Sequence, residues 1–232
     1  MAGKGATTRE QIIDAALRMA SHVGLEGVTL GNLADRLGLS KSGLFAHFRS
    51  KEALQLSVVE EAVERFIDQV ARPSVFAERG APRVTALFEN WLAWFRADSS
   101  SASGSGRGCV FLALASEYDD RPGPVREAVA VSQRTWLDFV AGAAQRAIDA
   151  DHFRPDLDTR QFAFEFVGIG MSLQFSSKLV GDRFAERRAR RAFEELVERS
   201  RIATQAIEGR AASRGRLTAR PARPSSRRAV SR

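Results

Sequence analysis

Apolar residues recur along this chain at three- and four-residue spacing, with polar residues filling the positions between, which is the rhythm of amphipathic helices. Ile12, Ile13, Ala16, Leu17, Ala20 and Val23 form the first stripe. Thr7 and Thr8 precede it, and Glu10 and Gln11 follow three residues later, the chemistry of a capping box. Gly24 and Gly27 end it. Thr29 is placed to cap a second helix carrying Leu30, Leu33, Ala34 and Leu37, which Gly38 breaks. Ser40 opens a short third helix with Leu44, Phe45 and Phe48 expected inward. Ser50 opens a fourth, where Glu52 in the first turn suits the helix dipole. Its stripe of Leu54, Val58, Ala62, Phe66 and Val70 continues to about Ala71.

Beyond Pro73, "RVTALFENWLAWF" predicts a fifth helix ending near Asp98, and residues 99–108 read as a flexible Ser/Gly loop. "CVFLALASEY" predicts a sixth helix buried all round, and "DDRPGP" a turn. Val125 to Ala150, Thr159 to Val180 and Phe184 to Ile207 predict a seventh, an eighth and a ninth. Phe162, Phe164 and Phe166 alternate as a strand would, but the segment runs on through Ile169, Leu173 and Val180, and that length decides for helix. The fold class is all-α, with about nine helices.

Charge changes the picture at one end only. The chain of 232 residues carries 35 Lys and Arg against 28 Asp and Glu, a formal net charge of +7. Residues 209–232 hold eight arginines and no acid, so removing them from +7 leaves residues 1–208 at −1. That tail is poor in large apolar groups and is expected to be disordered. It could add sequence-independent attraction to phosphates, or serve only as a solubilising terminus. The single Cys109 excludes an internal disulfide framework and a multi-thiolate zinc site, and His22, His47 and His152 have no metal-ligand spacing, so no metal and no cofactor are expected. The N-terminus lacks the apolar core of a secretory signal, and the most apolar stretch, "FAFEFVGIGMSLQF", is too short to span a bilayer. A cytoplasmic protein with no membrane partner is the default expectation.

The chemistry concentrates in Thr29 to Leu54, "TLGNLADRLGLSKSGLFAHFRSKEAL". Gly38 permits a left-handed turn between two helices whose shared core is Leu33, Leu37 and Leu44, which describes a helix-turn-helix. Its second helix would enter the major groove of double-stranded DNA. Small Ser42, Gly43 and Ala46 let the backbone approach base edges, while Lys41, His47 and Lys51 could reach phosphates. A helical hairpin with merely solvated Lys and Ser is the alternative reading of the same spacing.

Residues 8–60 resemble the TetR family of transcriptional repressors, through a helix, a glycine, a Thr-started helix, a Gly turn and the run "GLFAHFRSKEAL". The resemblance covers about a quarter of the chain. It implies a DNA-binding repressor with Thr29, Lys41, Ser42, Gly43, Phe45, Ala46, His47 and Lys51 at the DNA. One departure stands out, because the family usually has Tyr where this chain has Phe45. A phenol contact to phosphate should be absent, leaving more of the anchoring to His47 and Lys51. The implied organisation is an N-terminal arm (1–7), a three-helix DNA-binding domain (8–54, motif 29–48), an effector-binding and dimerisation domain (55–208), and the arginine-rich tail (209–232). The remaining helices resemble the family in layout only.

The eighth helix has two apolar faces, where a surface helix of a monomer needs one. Following the family's four-helix dimer interface, Phe162, Phe166, Ile169 and Leu173, with Ala189, Ala192, Phe193, Leu196 and Ala203 of the ninth helix, are assigned to a homodimer contact. Trp91, Phe95, Phe111, Trp136, Phe164, Met171 and Phe175 are assigned to a pocket for a small, largely apolar effector, with Glu117 and Glu165 as polar groups. For most of these aromatics the plainer alternative is ordinary core, and for Glu165 a salt bridge. No Ser/His/Asp or Cys/His set and no phosphate loop supports an enzyme. A DNA-organising protein without an effector remains the other competing class.

Overall fold

Nine helices in the computed structural model, which describes residues 3–99 and 109–202, carry every regular element among the described residues. They are α1 (Gly3–Val23), α2 (Leu30–Leu37), α3 (Lys41–His47), α4 (Lys51–Phe66), α5 (Ala81–Ser99), α6 (Val110–Tyr118), α7 (Pro124–Asp149), α8 (Thr159–Gln174) and α9 (Ala185–Ser200). Helix α4 runs on through a π-helical stretch, Ile67–Ala71, into the single turn Arg72–Ser74, and α8 into a second π-helical stretch, Phe175–Leu179. None of these helices is long and apolar enough to cross a membrane. Of the loop expected over residues 99–108, Ser99 ends α5, and residues 100–108, like Ala203, Ile207 and the arginine-rich tail, lie outside the described residues.

The caps expected for α2, α3 and α4 form. Thr29 Oγ1 accepts from Asn32 N at 3.2 Å, and Asn32 Oδ1 accepts from Thr29 N at 2.8 Å, a capping box closed by asparagine. Ser40 Oγ accepts from Gly43 N and Ser50 Oγ from Ala53 N, each at 3.0 Å. Gly38 ends α2 in the left-handed region, with φ 64°. Helix α1 differs from expectation. It begins at Gly3, so Thr7 and Thr8 stand inside it and most of the expected arm is helical. Helix α9 ends at Ser200 rather than near Ile207, because the Ser200 carbonyl accepts from Arg154 N at 2.8 Å and Arg201 turns extended to pair with Phe153. Helix α6 is not buried all round, since Ala113 and Ser116 face solvent.

Two layers share α4. Its first turns pack with α1, where Arg9 donates to Ser57 Oγ at 2.9 Å and lies over the Phe48 ring at 5.1 Å. Its last turn enters an aromatic core built on α5, α7, α8 and α9. There Phe88 stacks on Phe193 at 4.0 Å, Trp91 on Phe166 at 5.5 Å, and Phe66 meets Trp136 edge-on at 4.8 Å.

The face of α8 that forms this core corrects the sequence reading. Phe162, Phe166 and Leu173 are 1%, 0% and 6% exposed inside the chain, so they do not form an outward face. Ala189, Phe193 and Leu196 of α9 are likewise buried against them. Gly170 on the same face admits the Trp91 indole, since a Cβ there would stand 2.1 Å from its Cη2. Gly170→Ala is therefore expected to overpack this contact and lower stability by roughly 1–3 kcal/mol despite the better helix propensity of alanine. Urea unfolding at fixed protein concentration checks it, and an unchanged midpoint would contradict this packing.

Candidate functional site

Helix α3 is held by two side chains and presents the rest. Leu44 is fully buried and Phe48, at its C-cap, is 2% exposed, so the helix cannot roll. Lys41, Ser42, Phe45 and Ala46 are exposed, while Gly43 and His47 are half-buried. Phe45 corrects an expectation: it is 51% exposed rather than inward, because burying Leu44 turns the next position, about 100° further round the helix, off the buried side. Ser42 Oγ lies 3.1 Å from Ser40 Oγ, and Thr29 spends its hydroxyl on the α2 cap. The outer surface of α3 thus presents the Phe45 ring among small residues, flanked by a lysine.

Lys51 does not point outward as a free cation. Its Nζ lies 2.5 Å from Glu26 Oε1, which places it in a network that the sequence did not disclose. Lys51 holds the Glu26 carboxyl below its ordinary pKa, first by this hydrogen bond and further through Gln55 and Tyr118. Gln55, buried on α4, donates to Leu25 O at 3.1 Å and to Glu26 Oε2 at 3.2 Å. From the other side the Glu117 carboxylate accepts from Leu25 N at 2.8 Å and Glu26 N at 2.7 Å. Tyr118 reaches Glu26 Oε2 at 3.4 Å, and burial, followed by the Glu117 charge, pushes its phenol pKa up. Gly24 is needed here twice over, with φ +74° and a virtual Cβ only 2.7 Å from Glu117 Oε1. Glu117, expected in a ligand pocket, instead clamps the loop between α1 and α2 to the end of α6.

A cavity of about 730 Å³ lies between α4 and α7. Val59, Val63 and Phe66 form one wall, Trp136 and Phe139 the other, and Trp91, Phe111 and Cys109 close it. Of the expected pocket residues it gathers Trp91, Phe111 and Trp136. Phe95 is buried beside Trp91, 5.5 Å from it, without lining the cavity. Glu60 and Glu127 line it, the latter paired with Arg134 at 2.5 Å, and among the described residues no lysine, arginine or histidine does. The buried indole N–H groups of Trp91, Trp94 and Trp136 have no hydrogen-bond acceptor among the described residues and sit among edge-on rings. Cys109 heads α6, and its backbone N–H is taken by Gln174 Oε1 at 2.6 Å, which gives Gln174 a structural duty.

The other expected pocket residues point away. Phe164, Met171 and Phe175 are 69%, 56% and 58% exposed. Phe164 stands two residues from both Phe162 and Phe166, about 200° round the helix, so burying those two turns it outward. With Leu179 and Val180 these side chains make an apolar surface. Beside it runs a groove between α8 and α9 lined by Gly168, Ile169, Ser172, Ala185, Ala189 and Ala192. Glu165 closes one end through Arg199 at 2.6 Å. The two faces of α8 are therefore exchanged relative to the sequence reading.

Comparison with known proteins fits this geometry. The family model for bacterial regulatory proteins of the tetR family matches residues 12–58, and the model described as tetracyclin repressor-like, C-terminal domain, matches residues 80–193. The class C tetracycline repressor of Escherichia coli is 44% identical over 55 residues, 24% of this chain and 25% of that one. The repressor Rv1474c of Mycobacterium tuberculosis is 34% identical over 67 residues, 29% of this chain and 36% of that one. The chain thus matches between a quarter and two-fifths of the length of these curated relatives. A TetR-family regulator from Cytophaga hutchinsonii superposes with a TM-score of 0.73 at 20% identity, over 88% of this chain and 100% of that one. Together the two models span α3 and most of the helical body behind it, and on that ground the chain belongs to the TetR family of DNA-binding transcriptional regulators.

Proposed function

We propose that this protein is a repressor that grips a palindromic operator as a homodimer and releases it when a small, largely apolar molecule fills the cavity between α4 and α7. The observation that carries the DNA reading is the outer face of α3. Small Ser42, Gly43 and Ala46 there suit an approach of the backbone to base edges beside the exposed Phe45, and in this reading Lys41 and the half-buried His47 meet phosphates. Residues 8–54 form the DNA-binding part in this reading, and residues 55–208 the effector and dimer part.

The apolar surface through Phe164, Met171 and Phe175 supports the dimer. A monomer rarely leaves so many large apolar side chains together in water. The small-residue groove next to it lets a second copy's helices come close, so the dimer contact in this reading uses Ile169, Ala192 and the outward face of α8 rather than Phe162 and Phe166. The cavity supports the effector, since its size suits a drug-sized molecule and its walls are mainly apolar, with aromatic rings among them. With Glu60 and the Arg134-paired Glu127 as its acidic groups and no base among the described lining residues, a neutral or cationic effector is favoured over an anionic one. Solved proteins of the same fold include one from Saccharomonospora viridis in complex with choline and AibR in complex with isovaleryl coenzyme A and operator DNA.

Coupling follows from α6. Its start, with Phe111 and Leu112, is cavity wall, and its end carries the Glu117 clamp on Leu25 and Glu26. A ligand that displaces this helix pulls the clamp, and with it the seat of α2 and α3. It acts by binding one arrangement better than the other.

Lys41→Ala is expected to weaken all duplexes alike and to flatten the slope of log affinity against log salt by about one unit for each phosphate that the lysine neutralises. Titrations at several salt concentrations check it, and an unchanged slope would remove Lys41 from the interface. Ala192→Glu is expected to yield monomers that no longer hold the operator, read by sedimentation, whereas a persistent dimer would place the contact elsewhere. Glu117→Gln keeps the shape but weakens one acceptor. It is expected to leave effector affinity near the native value while shrinking the effector's influence on DNA affinity several-fold, since coupling energies of about 1–3 kcal/mol correspond to 5- to 150-fold. Full coupling in this variant would rule out the clamp as the route.

A further inference from the structure

Helix α3 spends an exposed aromatic ring on the side that the proposed function turns toward DNA, and neither phosphate anchoring nor core packing uses it. We infer that Phe45 reads the 5-methyl group of a thymine in each half-site of the operator. The inference rests on the reading of α3 as the groove helix and adds to it a base preference and the residue that sets it.

Three observations lead there. Leu44 and Phe48 are buried at 0% and 2%, which fixes the roll of α3 and leaves Phe45, 51% exposed, facing away from the core. The exposed residues around it are Ala46 beside it, Ser42 three positions earlier and Lys41 four earlier, so Lys41, Ser42 and Phe45 share one side of the helix. None of the small neighbours stands as high as a phenyl ring, so the ring is the most protruding apolar group of this face. The third observation is chemical. A phenyl ring neither donates nor accepts a conventional hydrogen bond, so it cannot pair with a phosphate oxygen or a polar base edge, and pressing it against an anion would strip water from the charge without compensation. In the major groove one base offers an apolar group, the thymine methyl. A ring held outward between a lysine and an alanine fits that group and no other feature of the groove floor.

The test uses the full chain and the duplex that it selects from a random pool. Each thymine of that duplex is replaced in turn by deoxyuridine, which removes the methyl and keeps every hydrogen-bonding group. Native protein is expected to lose about fourfold in affinity when one methyl at a symmetric pair is removed, and roughly fifteenfold when both half-sites lose it, the scale of burying one methyl-sized group. Phe45→Ala is expected to bind the thymine and uracil duplexes equally, whereas Phe45→Tyr, which keeps the ring, retains the preference. Phe45→Leu serves beside the alanine variant as a protein with an apolar but shorter side chain, expected to show a reduced preference. Unchanged melting temperatures show that the variants fold. Indifference of the native protein to deoxyuridine at every position would overturn the inference, as would a Phe45→Ala variant that still tells thymine from uracil. Recovery of no duplex at all would overturn the operator reading itself, which separates the two failures.

Discussion

Phe66 meets Trp94, Phe111 and Trp136 edge-on, at 5.6, 5.5 and 4.8 Å, and the arrangement of the whole chain depends on that knot of rings. The ring belongs to α4, whose first turn starts from the Ser50 cap just after α3. One helix therefore answers to two cores. Its N-terminal residues are bound by Gln55 to Leu25 and by Ser57 to Arg9, and its C-terminal residues are locked among aromatic side chains. A shift at one end cannot be absorbed within α4, because an α-helix resists axial compression through its own hydrogen bonds. The π-helical stretch that follows Phe66 is where the regular ladder gives way.

The polar junction around Glu26 complements that rigid rod. Leu25 and Glu26 offer backbone N–H groups between two helices, where no helical partner exists for them, and Glu117 satisfies both with one carboxylate. The negative charge gathered at Glu26 and Glu117 is offset by Lys51, and the buried phenol of Tyr118 stays protonated beside it. Every member holds another in place, so the loop before α2 takes its position from a helix ninety residues further along the chain.

Much of the fold was legible in the sequence, and its residues show why. Caps at Thr29, Ser40 and Ser50 and the break at Gly38 are local chemistry, written within four residues, and they formed as the spacing indicated. The dense pattern of residues 8–60 made the family visible as well. The orientation of α8 was not legible, since both of its faces are apolar and periodicity alone cannot say which one meets Trp91. Gly170 held that information, because a Cβ there would collide with the indole, but a glycine in a helix does not announce its neighbour. Lys51 and Glu117 misled for a related reason. A charged side chain at a plausible position was read by what it could face, while its partner lay 25 residues away in one case and 91 or 92 in the other.

The placement of the indoles has a consequence for observing the protein. All three tryptophans of the chain, Trp91, Trp94 and Trp136, belong to α5 and α7, and none lies in α2, α3 or α4. Trp91 and Trp136 line the cavity, and the N–H groups of all three lack an acceptor among the described residues. Indole emission responds to the polarity and hydrogen bonding around the ring. The chain thus carries a native optical probe whose signal originates in the cavity and its aromatic surround, without contribution from the surface that would meet DNA.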